Sequence, residues 1–135
     1  MKNIKGHCYC GAIEILIKEY GNFVYTCHCD ECRRLNSGPV LSIDPGPKEN
    51  VEFVCAKEAI TIYNDGHVER GFCSVCGSTL FWHDPNDNHY CMNAELFDDI
   101  IKNASFELEL FYAMKPEYYS FVGERKKLDC NFKEI

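Results

Sequence analysis

Ten cysteines in 135 residues fall into clusters whose spacing is the first sign of chemistry. Cys73-Ser74-Val75-Cys76-Gly77 brings two sulfurs within reach of one ion. A Cys-x-x-Cys turn folds back on itself, and the glycine after it can take the positive φ that aims backbone N–H groups at sulfur. Cys8-Tyr9-Cys10-Gly11 is a tighter version. Residues i and i+2 of an extended segment point the same way, so both sulfurs can reach one metal. Tetrahedral zinc, with Zn–S near ~2.3 Å, needs sulfurs about 3.8 Å apart, and two such pairs make a closed, structural four-thiolate site. The alternative is buried, unliganded cysteine. Paired spacing with a trailing glycine favours the metal, so Cys8, Cys10, Cys73 and Cys76 are expected to hold one zinc ion.

Cys27-His28-Cys29-Asp30-Glu31-Cys32 offers three thiols and an imidazole within six residues. His28 lies between two ligand cysteines, so in extended geometry it points away from their shared side. The expected site is therefore three thiolates, Cys27, Cys29 and Cys32, with the fourth position open, which is the mark of a catalytic zinc. The competing reading is a second structural zinc with His28 or another residue as its fourth ligand. Cys55, Cys91 and Cys130 remain; they read as small buried hydrophobes, or as an exposed thiol in the case of Cys130. His7, His67, His83 and His89 read as solvated or structural loop and strand-end residues. Trp82 is expected in the core beside the second cysteine pair, and the Tyr118-Tyr119 pair as packing.

The elements that must position these groups are mostly strands. Ile13, Ile15 and Ile17 alternate along one strand. Further strands are expected at 23–26, 40–43, 51–54, 59–63, 68–72, 78–82, 90–93 and 106–113, with 51–54 and 59–63 as a pair. Asp44-Pro45-Gly46-Pro47 forces a turn, and Asn64-Asp65-Gly66 is a hairpin signal. Helix is scarce, with one turn expected at 31–35 and another at 96–102. Frequent turns between short strands indicate a mainly β domain of short antiparallel strands spanning residues 1–135. Gly6–Gly11 and Gly71–Gly77 each place a cysteine pair before a glycine and then a strand, which suggests two facing knuckles gripping one ion.

Charge narrows the function classes. The formal net charge is -7, and thiolates around a dication make it more negative. Long-range steering toward nucleic acid or an anionic membrane is not expected. Arg125, Lys126 and Lys127 form a small basic cluster, read as a solvated turn. The N-terminus lacks an apolar leader, and no stretch approaches the ~20 apolar residues of a membrane span. With no export signal, ten cysteines point to metal rather than disulfides and to the cytoplasm.

Three segments then carry a resemblance: Gly-His-Cys-Tyr-Cys-Gly-Ala-Ile at 6–13, Cys-His-Cys-Asp-Glu-Cys-Arg-Arg at 27–34, and Gly-Phe-Cys-Ser-Val-Cys-Gly-Ser-Thr-Leu-Phe-Trp at 71–82. In order and spacing they are similar to the glutathione-dependent formaldehyde-activating enzyme family, which also includes centromere protein V. Leu110 to Lys115 and the aromatic pair after it resemble that family's C-terminal strand and turn. The resemblance covers about 5–122, and 123–135 reads as a divergent tail. It implies a β-tent zinc fold and two zinc ions per chain, a structural one on Cys8, Cys10, Cys73 and Cys76 and a catalytic one on Cys27, Cys29 and Cys32. It implies a carbon–sulfur lyase activity, condensation of formaldehyde with glutathione, with glutathione as co-substrate. A zinc-bound thiol would stay deprotonated near pH 7, and His28 is a candidate for moving the proton. Two other functions compete. One is a non-enzymatic two-zinc interaction module. The other is a redox enzyme, because Gly71 to Phe97, with Tyr90-Cys91-Met92-Asn93, also resembles the B-type methionine sulfoxide reductases and their catalytic cysteine.

Overall fold

The computed structural model describes residues 2–135. The alternating isoleucines form β2 (Glu14–Glu19), with Ile15 and Ile17 buried on one face and Glu14 exposed on the other. A strand that buries one face must pack that face against a cover. β2 pairs antiparallel with β1 (Lys2–His7) on one side and β5 (Val51–Val54) on the other, giving a three-stranded sheet. The remaining strands are β3 (Phe23–Cys27), β4 (Val40–Ile43), β6 (Ile60–Asn64), β7 (Glu69–Cys73), β8 (Thr79–His83), β9 (Tyr90–Asn93), β10 (Ser105–Leu110) and β11 (Lys126–Lys127). They form an eight-stranded sheet in the order β11-β10-β3-β4-β9-β8-β7-β6. Among the described residues there are two short α-helices, α1 (Asp30–Asn36) and α2 (Asp98–Asn103), and four single turns of 3-10 helix. The isoleucines of the small sheet pack with Ile43, Leu80, Met92 and Phe97 in one continuous core.

The chain is mainly β, as the periodicity predicts, with two departures. The stretches 51–54 and 59–63 do not pair with each other; β5 closes the small sheet against β2, and β6 pairs with β7 in the large one. The strands are also not all antiparallel, because β10 runs parallel to both β3 and β11. No helix among the described residues is long and apolar enough to cross a membrane.

The sheet register places the site. Tyr25 pairs with Ser42, Ser42 with Asn93, Cys91 with Trp82, and Trp82 with Arg70. Cys27 pairs with Val40 and Leu110. Side chains two apart on a strand share a face, so these residues from five neighbouring strands and β10 look out from one side of the large sheet. α1 follows β3 directly and lies over that face.

Candidate functional site

The two cysteine knuckles are hairpin loops, one joining β1 to β2 and the other β7 to β8. They have the same backbone pattern. Gly11 N–H donates to Cys8 O at 3.1 Å and Gly77 N–H to Cys73 O at 2.9 Å. Both glycines take positive φ, 81° and 77°. The loops meet. Cys8 Sγ lies 3.7 Å from Cys10 Sγ and 3.8 Å from Cys73 Sγ, and Cys10 Sγ lies 3.8 Å from Cys73 Sγ. All four sulfurs, Cys76 included, are within 4.8 Å of one another. Those separations match the tetrahedral edge of a zinc tetrathiolate, about 3.8 Å. The N–H groups of Val75 and Cys76 both reach Cys73 Sγ at 3.4 Å, which suits a charged sulfur better than a neutral thiol. The Ser78 hydroxyl, 3.1 Å from Cys76 Sγ, pulls that thiol's pKa down to about 5. The donor set fits a zinc ion, and its ligands come from both sheets.

The second cluster sits where β3 ends and α1 begins. The sulfurs of Cys27, Cys29 and Cys32 are within 4.8 Å of one another. Cys29 is the N-cap of α1, its sulfur accepting from Cys32 N–H at 3.4 Å. Hydrogen bonds from Cys27 and Cys32 push the Cys29 thiol strongly down, while the same contacts push Cys27 and Cys32 up. Three thiolates so close repel one another, and a dication is what lets all three ionise. This donor set also fits zinc.

His28 is not brought to the sulfurs. It is 0% exposed, with Nε2 2.7 Å from Glu109 Oε1 and Nδ1 2.7 Å from the Tyr119 hydroxyl. Burial pushes its pKa down. Arg33 Nε donates to His28 O at 2.9 Å. His28 thus anchors the ligand loop from the back of the sheet, and neither ring nitrogen faces the thiols.

The tail supplies the rest of that anchor, which corrects the reading of 125–127 as a solvated turn. Lys126 and Lys127 form β11 beside β10, and Arg125 Nη1 pairs with Glu109 Oε2 at 2.7 Å. Glu109 is only 1% exposed, and the Arg125 guanidinium lies 4.1 Å from the Phe106 ring centre. Removing one partner of a buried pair strands the other's charge, at a cost of about 3–5 kcal/mol. Glu109→Gln is therefore expected to lower stability by that amount in urea denaturation. An unchanged midpoint would mean that the tail's ion pair contributes nothing.

On the front of the sheet, Cys27, Cys29 and Cys32 line a cavity of about 400 Å³. Tyr25, Ser42, Cys91 and Asn93 form its floor; Leu110, Phe111 and Phe132 close one end, and His67, Arg70 and Trp82 the other. Trp82 is thus a cavity wall rather than a core residue. The Tyr118-Tyr119 pair is split: Tyr118 is exposed, and Tyr119 bonds His28. Cys55 is half-buried and Cys130 exposed. Cys91 is half-buried on the cavity floor, hydrogen-bonded to Tyr25, and burial pushes its thiol up. His83 is buried, 2.8 Å from Asp87 O, and His89 bonds Asp44. His67 is exposed, as read, and lies at the edge of the cavity. Arg70 and Phe132 had no local sequence signal; only the strand register and the fold of the tail bring them to the thiols.

The model of the glutathione-dependent formaldehyde-activating enzyme family matches residues 3–114. An uncharacterised lyase of Schizosaccharomyces pombe is 31% identical over 126 residues, 92% of this chain and 89% of that protein. A Halomonas elongata protein provisionally named as a glutathione-dependent formaldehyde-activating enzyme is 30% identical over 89 residues, 61% of this chain and 57% of its own length. Among solved structures, a Rhodobacter sphaeroides protein from structural genomics aligns with a TM-score of 0.59 at 22% identity, covering 76% of this chain and 99% of its own. That last likeness is one of fold. The family match ends before Tyr119, Arg125 and Phe132, so the tail's part in the anchor and the cavity lies outside the matched stretch.

Proposed function

From the chain's membership of the glutathione-dependent formaldehyde-activating enzyme family, we propose that it is a zinc-dependent carbon–sulfur lyase-like enzyme of the S-(hydroxymethyl)glutathione synthase type. It acts on glutathione or a related thiol and a small aldehyde such as formaldehyde. The observation that carries this reading is the meeting of three thiols on a cavity of about 400 Å³, a size suited to a small-molecule ligand. A purely structural site would have a fourth protein ligand beside the three, and among the described residues the cluster holds no more than three.

In this reading Cys8, Cys10, Cys73 and Cys76 hold a structural zinc, and Cys27, Cys29 and Cys32 hold a catalytic one. Bound there, the metal supplies a place where an incoming thiol is kept as thiolate near neutral pH. The bond that forms joins thiol sulfur to carbonyl carbon. The carbonyl π pair moves to oxygen, which takes up the proton the thiol lost, so thiol plus aldehyde equals adduct with no oxidant or reductant. The chain's own groups orient and enclose. Val40, Leu110 and Phe111 keep water from one side of the cavity. Tyr25 and Ser42 bring hydroxyls to its floor, and burial pushes the Tyr25 hydroxyl far up, so it remains a hydrogen-bond donor for a carbonyl oxygen. His28 acts from behind, as the residue that positions the ligand loop.

The redox reading has one observation in its favour, since Cys91 lines the same cavity. Its thiol is held protonated by burial, which makes it a poor nucleophile at neutral pH. One experiment tests both. Zinc-loaded wild type is expected to speed the equilibration of ¹³C-formaldehyde with glutathione, followed by NMR, and Cys91→Ser to do so equally. Wild type with two zinc ions and no acceleration sinks the lyase-like reading. Reduction of methionine sulfoxide with dithiothreitol by wild type but not by Cys91→Ser would replace it with the redox one.

A further inference from the structure

The thiol cavity has two unlike ends. Its charged lining residues, Glu31 and Arg70, also border a smaller cavity of about 210 Å³ beyond Trp82. Val40, Leu110, Phe111 and Phe132 line the other end. That apolar end adjoins the sulfurs directly, because Cys27 pairs with Leu110 on one side and with Val40 on the other. Phe132 lies beyond the residues 3–114 that the family model matches.

The aromatic part of this end is held in place at a cost. Phe111 and Phe132 meet edge to face, their ring centres 5.5 Å apart. Both take positive φ, 52° and 60°, a conformation that bulky L-residues rarely adopt. Strain of this kind collects at functional sites. The hairpin that carries Phe132 is closed by a bridge between Leu128 and Glu134. Inside it, Asp129 Oδ1 accepts from the N–H groups of Asn131 at 2.8 Å and Lys133 at 3.0 Å, and Phe132 N–H donates to Asp129 O at 3.0 Å. Held this way, Phe132 is still 61% exposed. Its contact with Phe111 buries too little of the ring to account for the placement. A strained, half-open ring on the wall of a thiol-lined cavity completes its packing on a bound apolar group.

We propose that this end is the subsite for the aldehyde's substituent, with Phe132 setting the preference, so that an aldehyde bearing an apolar chain or ring is favoured over formaldehyde. The inference rests on the thiol–aldehyde chemistry proposed above. A thiol with charged groups, as glutathione has, would lose water without gaining a partner against four apolar side chains. The apolar end is left to the other reactant. Formaldehyde has no carbon beyond its carbonyl and cannot use it. Tyr25, two residues from Cys27 on the same strand face, donates to the carbonyl oxygen, and a carbonyl carbon beside Cys27 sets its substituent next to Leu110 and Phe111. The step is unchanged: sulfur bonds to the carbonyl carbon, and the carbonyl oxygen takes up the thiol's proton.

Trp82 is the chain's one tryptophan and a wall of this cavity, so its fluorescence reports binding there. Zinc-loaded protein is titrated with unreactive carbonyl compounds, the straight-chain primary amides from acetamide to hexanamide. Wild type is expected to bind each longer amide about threefold to fourfold more tightly than the one before, the worth of a buried methylene. Phe132→Ala should flatten the series, weakening hexanamide about tenfold relative to acetamide, and Phe132→Leu should keep most of the gradient. In exchange NMR with glutathione, wild type should accelerate hexanal more than formaldehyde, and Phe132→Ala should lower that ratio by about the same tenfold. Equal binding of acetamide and hexanamide by wild type overturns the subsite without reference to any variant's folding. An unchanged gradient in a folded Phe132→Ala overturns the role of Phe132. Acceleration of formaldehyde but not hexanal overturns the aldehyde assignment and leaves the lyase-like reading intact. If lengthening the thiol from ethanethiol to hexanethiol gives the gradient and lengthening the aldehyde does not, the end belongs to the thiol and the proposal fails. Acceleration of neither aldehyde sinks the lyase-like reading, and the amide series then decides the apolar end on its own.

Discussion

Cys76→Ser is expected to leave little folded protein. The closed site is where the two sheets are joined at their hairpin ends, since Cys8 and Cys10 belong to the loop of one sheet and Cys73 and Cys76 to the loop of the other. Structural zinc in thiolate sites contributes about 10–16 kcal/mol of apparent binding free energy at neutral pH, all of it coupled to folding. A domain of this size is stable by only about 5–15 kcal/mol. Serine can take over the contact to Ser78 but cannot supply a thiolate near pH 7. The three remaining sulfurs would then be left crowded, with Cys8 and Cys73 buried. Loss of the sheet junction also exposes the isoleucine face of β2 and the Met92 and Leu80 side chains that it covers. The expected protein is insoluble, or soluble without a cooperative melt, and carries less zinc than wild type. A soluble Cys76→Ser chain that keeps its full zinc content and melts cooperatively would sink the structural assignment.

That junction was legible in the sequence because each half of it is local. Two cysteines and a glycine within four or five residues determine the loop, and the chain adds only the meeting of two loops. The strands at 40–43, 51–54 and 90–93 were legible for the same reason, being short apolar runs bounded by turns. β1 was not, because Ile4 is the one large apolar residue in Lys2–His7; pairing with β2 makes it a strand, not its own pattern. Nearness in sequence also misled. β5 and β6 are neighbours along the chain, yet β5 satisfies the free edge of β2, with Val54 opposite Glu14, 40 residues earlier, and Val51 opposite Ile17, 34 residues earlier. The front wall of the cavity depends on longer-range register still, with Ser42 opposite Asn93 and Trp82 opposite both Cys91 and Arg70. The tail looked like a charged turn because three basic residues in a row usually are one. Its parallel pairing with β10 puts Arg125 beside a buried carboxylate that lies 16 residues earlier. Alternation alone, by contrast, placed His28 on the side of β3 away from the thiols, and Glu109 and Tyr119 are what it meets there.

The open cluster is expected to respond in the opposite way: Cys29→Ser should lose one zinc and the thiol–aldehyde activity while keeping the fold. Cys27, Cys29 and Cys32 lie within one loop, so their metal closes only a few residues, and loop-closure entropy grows with the logarithm of loop length. The loop is held by other means. β3 pairs with β4 and β10, and His28 is bonded to Glu109 and Tyr119 from behind. The one structural duty of Cys29 is to cap α1, accepting from Cys32 N–H, and serine is among the best N-cap residues. Serine therefore keeps the helix start and removes the thiolate. Zinc counting should fall from two ions per chain to one, the melting temperature should move by only a few degrees, and formaldehyde–glutathione equilibration should return to the uncatalysed rate. In wild type, glutathione should protect Cys27, Cys29 or Cys32 from alkylation and leave Cys73 and Cys76 as they are without it. If Cys29→Ser unfolds as badly as Cys76→Ser, both metals are structural, and the three-thiol cavity is a second clasp rather than a place for substrate.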